Sequence, residues 1–264
     1  MYSIIIPVHN QIPMTRECID AIHANTLDYE LIIVDNGSDI SDQYANYMEL
    51  LHLDGKTEQM PITHEPYQEG RVIRNETNLG FPAAVNQGIQ AASGDTIVIL
   101  NNDVFCTPNW LEILQGRLSA GLDMVGPVTN SISGPQQVLI DQYEDIATLD
   151  KAAEEHRKKN EGQWFPFHRL VFFCVAIKRE VIDKIGLLDE IYTPGNYEDD
   201  DYCLRAIDAG FKLGIAKDCY VHHFLSVTHK ALKLDYQSLQ NKNKKIFNDK
   251  WSDRYKELSE LNNG

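Results

Sequence analysis

Short runs of apolar residues alternate with segments of helical periodicity over the first hundred positions. Continuous apolar runs rich in β-branched residues predict buried strands, and apolar residues spaced along one face predict helices. The predicted strands are Ser3–Val8, Glu30–Val34, Arg71–Arg74 and Thr96–Leu100, and the helices between them are Thr15–Ala24, residues 41–53 and Pro82–Ala92. This β-α-β-α-β-α-β order predicts an α/β fold, in which helices cover both faces of a mainly parallel sheet.

The second half of the chain has a less regular pattern. Its predicted strands are Leu170–Ile177, Leu213–Ala216 and Cys219–His222, and its predicted helices are Trp110–Leu118, Arg179–Ile185, Tyr197–Ala209 and residues 235–255. Residues 129–167 are polar and interrupted by Gly and Pro, so we expect long loops there, with a charged helical patch at Leu149–Lys159. No repeat or linker divides the sequence, which favours a single domain.

Composition and charge exclude several classes of protein. Hydrophobic residues make up 43% of the 264 positions, which is typical of a globular chain. Lys and Arg number 24 against 39 Asp and Glu, a net charge of −15 that argues against general nucleic-acid binding and against docking on anionic lipid. The longest uncharged apolar run, Leu170–Ile177, is far shorter than the ~20 residues that cross a bilayer.

The five cysteines are odd in number and contain no C-x-x-C pair. The first residues, MYSIIIPVHN, lack the basic start and cleavage site of a secretory signal. We therefore expect free, buried thiols and a cytoplasmic location.

Polar clusters follow three of the predicted strands. Open parallel sheets bind ligands outside the carboxyl ends of their strands, so clusters on neighbouring strands would converge on one edge. Each cluster taken alone is also ordinary turn chemistry. Three together favour a nucleotide site, and they are His9-Asn10, Asp35-Asn36-Gly37-Ser38 and Asn101-Asn102-Asp103.

The segment before the third helix adds a second candidate for anion binding. Asn78 and Gly80 precede a helix whose free N–H groups could face an anion, and Gly80 would let the backbone approach a ligand closely. Asn86 could face the same cleft. The alternative is an ordinary loop followed by a packing helix, and this segment by itself favours that alternative.

The acidic run Glu198-Asp199-Asp200-Asp201 is the strongest chemical feature of the sequence. A helix N-terminus stabilises a negative charge by about 0.3–1 kcal/mol, which accounts for one or two acids but not for four. Helical geometry turns Asp199 by ~100° from its neighbours, so it can face a cleft while Glu198 and Asp201 lie on another side. The run therefore indicates more than the start of a helix.

Seven segments resemble, in order and spacing, the inverting family-two glycosyltransferases, whose fold is the Rossmann-like GT-A fold. They span roughly residues 2 to 230 and read SIIIPVHN, ELIIVDNGS, NLGFPAAVNQGIQAASGD, ILNNDV, LVFFCVAIKREVIDKIGLLDE, YEDDDYCLRAIDAGFKL and VHHFLSVTH. The resemblance implies one GT-A-like domain over residues 1–264. Within it, residues 1–103 would bind the nucleotide sugar, residues 104–234 would supply the acceptor and catalytic half, and residues 235–264 would form a C-terminal helix.

The resemblance also implies an activity and its residues. A sugar would pass, with inversion, from a UDP- or dTDP-linked donor to a hydroxyl of a glycan or lipid-linked glycan, and a rhamnosyltransferase-like subgroup is one of the options. Asp199 matches the first Asp of the family's Glu-Asp-x-Asp pattern and would be the general base, with Glu198 beside it. The implied nucleotide-sugar contacts are Pro7, His9, Asn10, Asp35, Asn36, Asn78, Gly80, Asn86, Asn102 and Asp103.

A divalent cation, Mn²⁺ or Mg²⁺, is the implied cofactor. The family's Asp-x-Asp motif stands here as Asn101-Asn102-Asp103, so Asp103 alone would meet the cation on the donor diphosphate. The resemblance places a His after the last strands in the same site, and His222 fits its position better than His223, which we expect to be structural. A single carboxylate predicts weak metal binding without nucleotide. Any membrane contact would be peripheral, at the inner face.

Two other functions stay open on the sequence. A sugar nucleotidyltransferase uses a similar sheet and strand-end Asp, but it normally carries a basic Gly-rich loop, and HNQIPMTRE offers only Arg16. A non-catalytic sugar-nucleotide or glycan-binding module would tolerate Asn101, although the intact Glu198-Asp199 pair argues against it. Donor turnover distinguishes these classes.

Overall fold

The computed structural model describes residues 1–39, 69–224 and 236–261. The strands are β1 Tyr2–Val8, β2 Tyr29–Asn36, β3 Glu69–Asn75, β4 Thr96–Leu100, β5 Val104–Cys106, β6 Met124–Val128, β7 Trp164–Pro166, β8 Cys174–Lys178 and β9 Leu213–His223. The α-helices are α1 Ile12–Asn25, α2 Phe81–Ala91, α3 Trp110–Ser119, α4 Ile146–Lys159, α5 Arg179–Ile185, α6 Glu198–Asp208 and α7 Tyr236–Leu261. A short 3₁₀ helix at Glu190–Tyr192 precedes α6.

The strands form one mixed sheet in the order β3-β2-β1-β4-β8-β6-β9-β5, with β7 also paired to β9. The first four strands are parallel to one another, β8 is antiparallel to both of its neighbours, and β6 is parallel to β9. The predicted α/β fold with a mainly parallel, mixed sheet is confirmed. Because β1, β2 and β4 run the same way, their carboxyl ends lie on one edge.

The central strands form because their side chains are apolar on both faces. Every residue of β2 and β4 is buried, and Ile4, Ile5 and Ile6 of β1 have no exposed surface. Strands covered on both faces read as continuous apolar runs, which is the pattern that predicted them. Helix α2 approaches β1 so closely at Gly88 that a Cβ atom there would lie 2.3 Å from Ile5 Cγ2.

The second half contains strands that the sequence pattern did not predict. Strands β5 and β7 have three residues each, too few to show a period, and β6 carries a Gly-Pro pair that usually marks a turn. The two short strands expected at Leu213–Ala216 and Cys219–His222 are one continuous strand, β9. The helical patch at Leu149–Lys159 is confirmed within α4, while the predicted helix at 41–53 lies outside the described residues.

All five cysteines are free and buried. They pack as small apolar groups in the core, as expected. Within the ranges that the structure describes, no helix combines the length and the apolar character needed to cross a membrane.

Candidate active site

A cavity of about 760 Å³ lies at the carboxyl ends of the parallel strands. Its wall combines strand ends with the loop at 194–197, the start of α6 and one side of α7. Asp103 and Asp199 are 96 positions apart in the sequence, and both line this cavity. The predicted site residues on the wall are Pro7, His9, Asn36, Asn78, Asn102, Asp103, Glu198 and Asp199.

Two predicted site residues, Asn10 and Asp35, lie behind this wall and meet at Ser38. The Asn10 N–H donates to Ser38 Oγ at 2.8 Å, and the Ser38 N–H donates to Asp35 Oδ1 at 3.0 Å. The other oxygen of Asp35 pairs with Arg74 at 2.7 Å. Asn10 Oδ1 also accepts from the Asp39 N–H at 2.9 Å, so both side chains hold the turn after β2 in place, and their contact with a nucleotide stays a prediction.

Two further predicted residues, Gly80 and Asn86, have roles different from those expected. Gly80 has a left-handed φ of 91°, and a Cβ there would lie 2.8 Å from Thr193 Cγ2, so its bare backbone admits the loop at 193–195. Asn86 is buried, and its amide group both donates to and accepts from the backbone of Leu188 at 2.9 Å. The expectation that Asn86 faces the cleft is corrected, because this amide joins α2 to the loop before α6.

An amide network holds the end of β2 against the turn before α2. Asn36 donates to Asn78 Oδ1 at 3.0 Å and to the Gly80 carbonyl at 3.1 Å, and it accepts from Asn75 Nδ2 at 3.0 Å. His9 Nδ1 contacts the Asn36 carbonyl at 3.0 Å. Because these amides are already paired, the cavity edge is rigid before any ligand arrives.

The structure places His223, rather than His222, beside Asp103. His223 Nε2 lies 3.2 Å from Asp103 Oδ1, and both side chains are buried. Strand β5 pairs antiparallel with β9 in a register that sets Val104 opposite His223. Neighbouring residues of a strand face opposite sides of the sheet, so His222 turns away and bonds to the Tyr143 hydroxyl. The expectation that His222 lies beside Asp103 is therefore corrected to His223, and a metal-binding role for this histidine stays a prediction.

The hydrogen bonds of His223 leave one ring nitrogen for the cavity. Its Nδ1 lies 3.1 Å from the Ser131 carbonyl, which only accepts, so Nδ1 carries a hydrogen. In the neutral ring, Nε2 would present a lone pair to the Asp103 carboxylate, and two acceptors this close need a proton or a cation between them. Burial lowers the pKa of His223, but the hydrogen bond and the charge of Asp103 outweigh it and raise the pKa.

This pair fits a divalent cation in part. One carboxylate and one imidazole are ligands that Mn²⁺-like ions accept, and the two atoms converge on one point. In the parts of the chain that the structure describes, no group of three or more His, Cys, Asp or Glu side chains is arranged to hold an ion. A cation here would need phosphate oxygens and waters to complete its shell.

The acidic run forms the first turn of α6, and all four of its side chains are buried. Asp199 accepts hydrogen bonds from the N–H of Asp200 at 2.9 Å and of Phe172 at 3.4 Å. Burial raises the pKa of Asp199, while the charge of Arg169 and these two N–H groups limit the rise. A carboxylate with a raised pKa and an open side toward a cavity is suited to accept a proton near neutral pH.

Glu198, which lines the same cavity, carries a buried oxygen atom without a hydrogen-bond partner in the described structure. The side chain is buried, and this atom is Oε2. Burial, and then the charge of Asp199, raise the pKa of Glu198 well above its usual value. A protonated carboxyl group of this kind can bind a ligand hydroxyl, both as donor and as acceptor.

Asp200 is paired with a residue that the sequence pattern did not single out. Arg169 Nε donates to Asp200 Oδ1 at 2.6 Å, and Arg169 Nη2 donates to Ser133 Oγ at 3.0 Å. Both Arg169 and Asp200 line the cavity. The only signal in the sequence was a lone basic residue before an apolar run, which carries no information about its partner.

Asp201, the fourth acid, anchors the C-terminal helix. Its carboxylate is fully buried and accepts from Lys250 Nζ at 2.6 Å, Trp251 Nε1 at 2.7 Å and Arg205 Nε at 2.8 Å. Burial alone would raise the pKa of Asp201, but these hydrogen bonds outweigh it and lower the pKa. Asp201 is thus a structural ion of the fold rather than a group of the cavity.

Helix α7 forms a wall of the cavity as a result of this anchor. The sequence predicted an amphipathic helix here without a place in the site. Asn243 fixes the same helix to the loop before α6, donating to the carbonyl groups of Gly195 at 2.9 Å and Asn196 at 3.3 Å. The residues that α7 contributes to the wall are Gln240, Lys244, Phe247, Asn248 and Tyr255.

The sequence matches a known family over most of its length. The family model described as Glycosyl transferase family 2 matches residues 3–186. Glycosyltransferase AglE of Haloferax volcanii is 25% identical over 222 residues, which cover 82% of this chain and 64% of AglE. The uncharacterized glycosyltransferase YwdF of Bacillus subtilis is 38% identical over 224 residues, covering 77% of this chain and 67% of YwdF. The chain thus spans about two thirds of the length of these relatives.

Solved structures share the fold. The crystal structure of GalNAc-T7 with UDP, GalNAc and Mn²⁺ superposes with a TM-score of 0.62 at 18% identity, over 84% of this chain and 43% of that one. At this identity the likeness bears on the fold, and it confirms the prediction of a GT-A-like architecture.

Proposed function

Because the chain belongs to glycosyl transferase family 2, we propose that it transfers a sugar from a nucleoside-diphosphate sugar to a hydroxyl group of an acceptor. One observation carries the proposal: Asp103 and Asp199 line the same cavity. In this proposal, Asp103 would meet a cation on the donor diphosphate, and Asp199 would accept the proton of the acceptor hydroxyl. Sugar transfer to an alcohol requires both functions within one hollow.

The donor would bind along the edge built by β1, β2 and β4. Several wall groups there are held by hydrogen bonds to the backbone, to another amide or to the Thr15 hydroxyl. These wall residues are Pro7, His9, Asn36, Asn78 and Asn102. This edge belongs to the half formed by residues 1–103. The acceptor half would be residues 104–234, and the C-terminal helix at 235–264 would close the domain, with α7 as part of the wall.

The proposed reaction is one displacement with inversion. As the acceptor oxygen attacks the anomeric carbon, its proton passes to Asp199, and the bond from that carbon to the diphosphate oxygen breaks with its electron pair. Glu198, whose Oε2 is unpaired, would bind a hydroxyl of the donor sugar or of the acceptor. No covalent sugar–enzyme intermediate is required.

Asp103 and His223 would hold a Mn²⁺ or Mg²⁺ ion. Such an ion, when bound, neutralises charge that develops on the departing diphosphate. With only these two protein ligands, the ion and the nucleotide should bind cooperatively, because each completes the site for the other.

The metal site can be tested by substituting His222 and His223 separately. We expect Asp103→Asn and His223→Gln to weaken nucleoside-diphosphate binding in the presence of Mn²⁺ at least about tenfold, because each removes a cation ligand. His222→Gln is the matched control and should stay within about twofold, since its ring faces Tyr143. Calorimetric titration with and without Mn²⁺ measures this, and a loss in His222→Gln with none in His223→Gln would return the site to His222.

The acceptor is proposed to be a glycan or a lipid-linked glycan. This proposal rests on the family rather than on a specific contact in the structure. We propose a cytoplasmic reaction, with at most peripheral contact at the inner face of a membrane.

A donor screen tests the function itself. We expect the protein to release nucleoside diphosphate from one of a set of UDP-, GDP- and dTDP-sugars, dTDP-rhamnose included, and to do so faster with Mn²⁺. Release of pyrophosphate from a nucleoside triphosphate and a sugar 1-phosphate would instead indicate a nucleotidyltransferase. Tight binding of a sugar nucleotide without turnover, with a range of acceptors present, would indicate a binding module.

A further inference from the structure

We propose that Arg169 is a positioning residue whose charge, held in place by Asp200 and Ser133, keeps the neighbouring base Asp199 ionised; this role rests on the proposed function. Arg169 reaches the acidic turn from the segment before β8, and its Nε lies 2.6 Å from Asp200 Oδ1. Its Nη2 is tied to Ser133 Oγ at 3.0 Å, so the guanidinium group is held from two sides. It acts on Asp199 by charge and does not need to touch the substrate.

Asp199 is a poor place for a negative charge without such a neighbour. It accepts hydrogen bonds from two backbone N–H groups, those of Asp200 and Phe172. The adjacent side chains are carboxyl groups, and the whole turn is buried, so both desolvation and repulsion oppose ionisation. The charge of Arg169 opposes both effects at Asp199 and at Asp200.

The two members of the ion pair should affect Asp199 with opposite sign. Arg169 favours the charged form of Asp199, and Asp200 disfavours it. Burial, and then the charge of Asp199, raise the pKa of Asp200 to about 7, and once ionised Asp200 cancels much of the effect of the guanidinium group on Asp199. Removal of the Asp200 charge would leave the cation to act on Asp199 alone.

The other titratable groups on the cavity wall, together with Cys203, on which the charge of Asp199 acts, are the same in every variant to be compared. They come from α6 itself, the loop before it, the strand ends and α7. Because they do not change, a difference between variants of Arg169 and Asp200 reports on the ion pair. These groups are His9, Asp103, Tyr197, Glu198, Cys203, His223, Lys244 and Tyr255.

The experiment is the pH dependence of kcat/KM for the full chain with its donor. Activity falls as the pH drops through the pKa of the base, because only the ionised form accepts a proton. In Arg169→Gln, we expect this acid limb to move up by about one pH unit, since a lost opposite charge raises a carboxyl pKa. In Asp200→Asn, we expect it to move down by about half a unit or more.

Opposite shifts of the acid limb in Arg169→Gln and Asp200→Asn distinguish an electrostatic role of Arg169 from a purely structural one. Both variants break the same ion pair, so a purely structural role predicts the same change in both, and limbs that stay in place or move together would overturn the proposal. Arg169→Lys keeps the positive charge, so its acid limb should lie at the wild-type pH. Arg254 of α7 pairs with the exposed Asp208, which ends α6. The Arg254→Gln variant should therefore leave the acid limb unchanged.

The failure of this role can be told apart from the failure of the proposed function. If Asp199→Asn is inactive at every pH but the acid limbs of Arg169→Gln and Asp200→Asn do not move apart, the role proposed for Arg169 is wrong and the base assignment stands. If Asp199→Asn turns over the donor at the wild-type rate, the base assignment itself is wrong. Thermal unfolding of each variant shows whether it is folded at the assay temperature.

Discussion

Sugar transfer by the Asp199→Asn variant is expected to fall by a factor of about 10²–10⁴, which is the usual contribution of a general base. The amide has the shape of the carboxyl group but cannot take up the acceptor proton. Its oxygen can still accept the N–H of Asp200, which lies 2.9 Å from the native Oδ1. The defect should therefore appear in kcat, while nucleoside-diphosphate affinity, measured by calorimetry, stays within a few-fold.

Asp208→Asn is the matched control for this variant. Asp208 ends the same helix, and its carboxylate pairs with Arg254 at 2.8 Å on the surface. The control removes one negative charge from α6 without touching the cavity, so its turnover should equal that of the wild type. Wild-type turnover in Asp199→Asn would exclude Asp199 as the base.

The second large effect concerns stability. Asp201→Ala should lower the free energy of unfolding by about 3 kcal/mol, since removal of one partner from a buried ion pair costs about 3–5 kcal/mol. We expect the low end of that range because Lys250 and Arg205 keep some contact with solvent, at 40% and 20% exposure. Urea unfolding monitored by circular dichroism measures the difference.

Asp208→Ala again supplies the control. Its ion pair with Arg254 is exposed on both sides, so the variant should lose less than about 1 kcal/mol. An equal loss in the two variants would mean that burial of Asp201 adds nothing to its ion pairs, contrary to the proposed anchor.

The Asp201 effect should also depend on pH in a defined direction. Hydrogen bonds from Lys250, Trp251 and Arg205 hold the pKa of Asp201 below its usual value despite burial. A carboxyl group with a lowered folded-state pKa stabilises the protein above the unfolded-state value of about 3.9, and this stability disappears as the pH falls through the folded-state pKa. The difference between wild type and Asp201→Ala should therefore be constant between pH 5 and 8 and shrink in strong acid.

Much of the fold followed from local pattern. The runs around Ile4–Ile6 and in β4 are apolar on both faces, and such runs predict central strands of a covered parallel sheet. Parallel strands end on one edge, so the polar groups after β1, β2 and β4 were expected together. The short strands β5 and β7 were missed, because three residues carry no measurable period.

The sequence alone thus determined the α/β fold and the edge of the sheet at which the polar strand ends converge. The resemblance added the family. Together with the acidic run, the resemblance predicted a general base at Asp199. The tertiary structure decided which side chains face the cavity. His223 faces Asp103, and His222 does not, because β9 pairs with β5 in the register that sets Val104 opposite His223, and the local sequence pattern does not fix that register. Arg169 and α7 joined the site through partners in the acidic turn that are 31 and about 50 positions away along the chain. Periodicity describes each segment by itself, whereas register and ion pairing depend on which distant segment lies opposite.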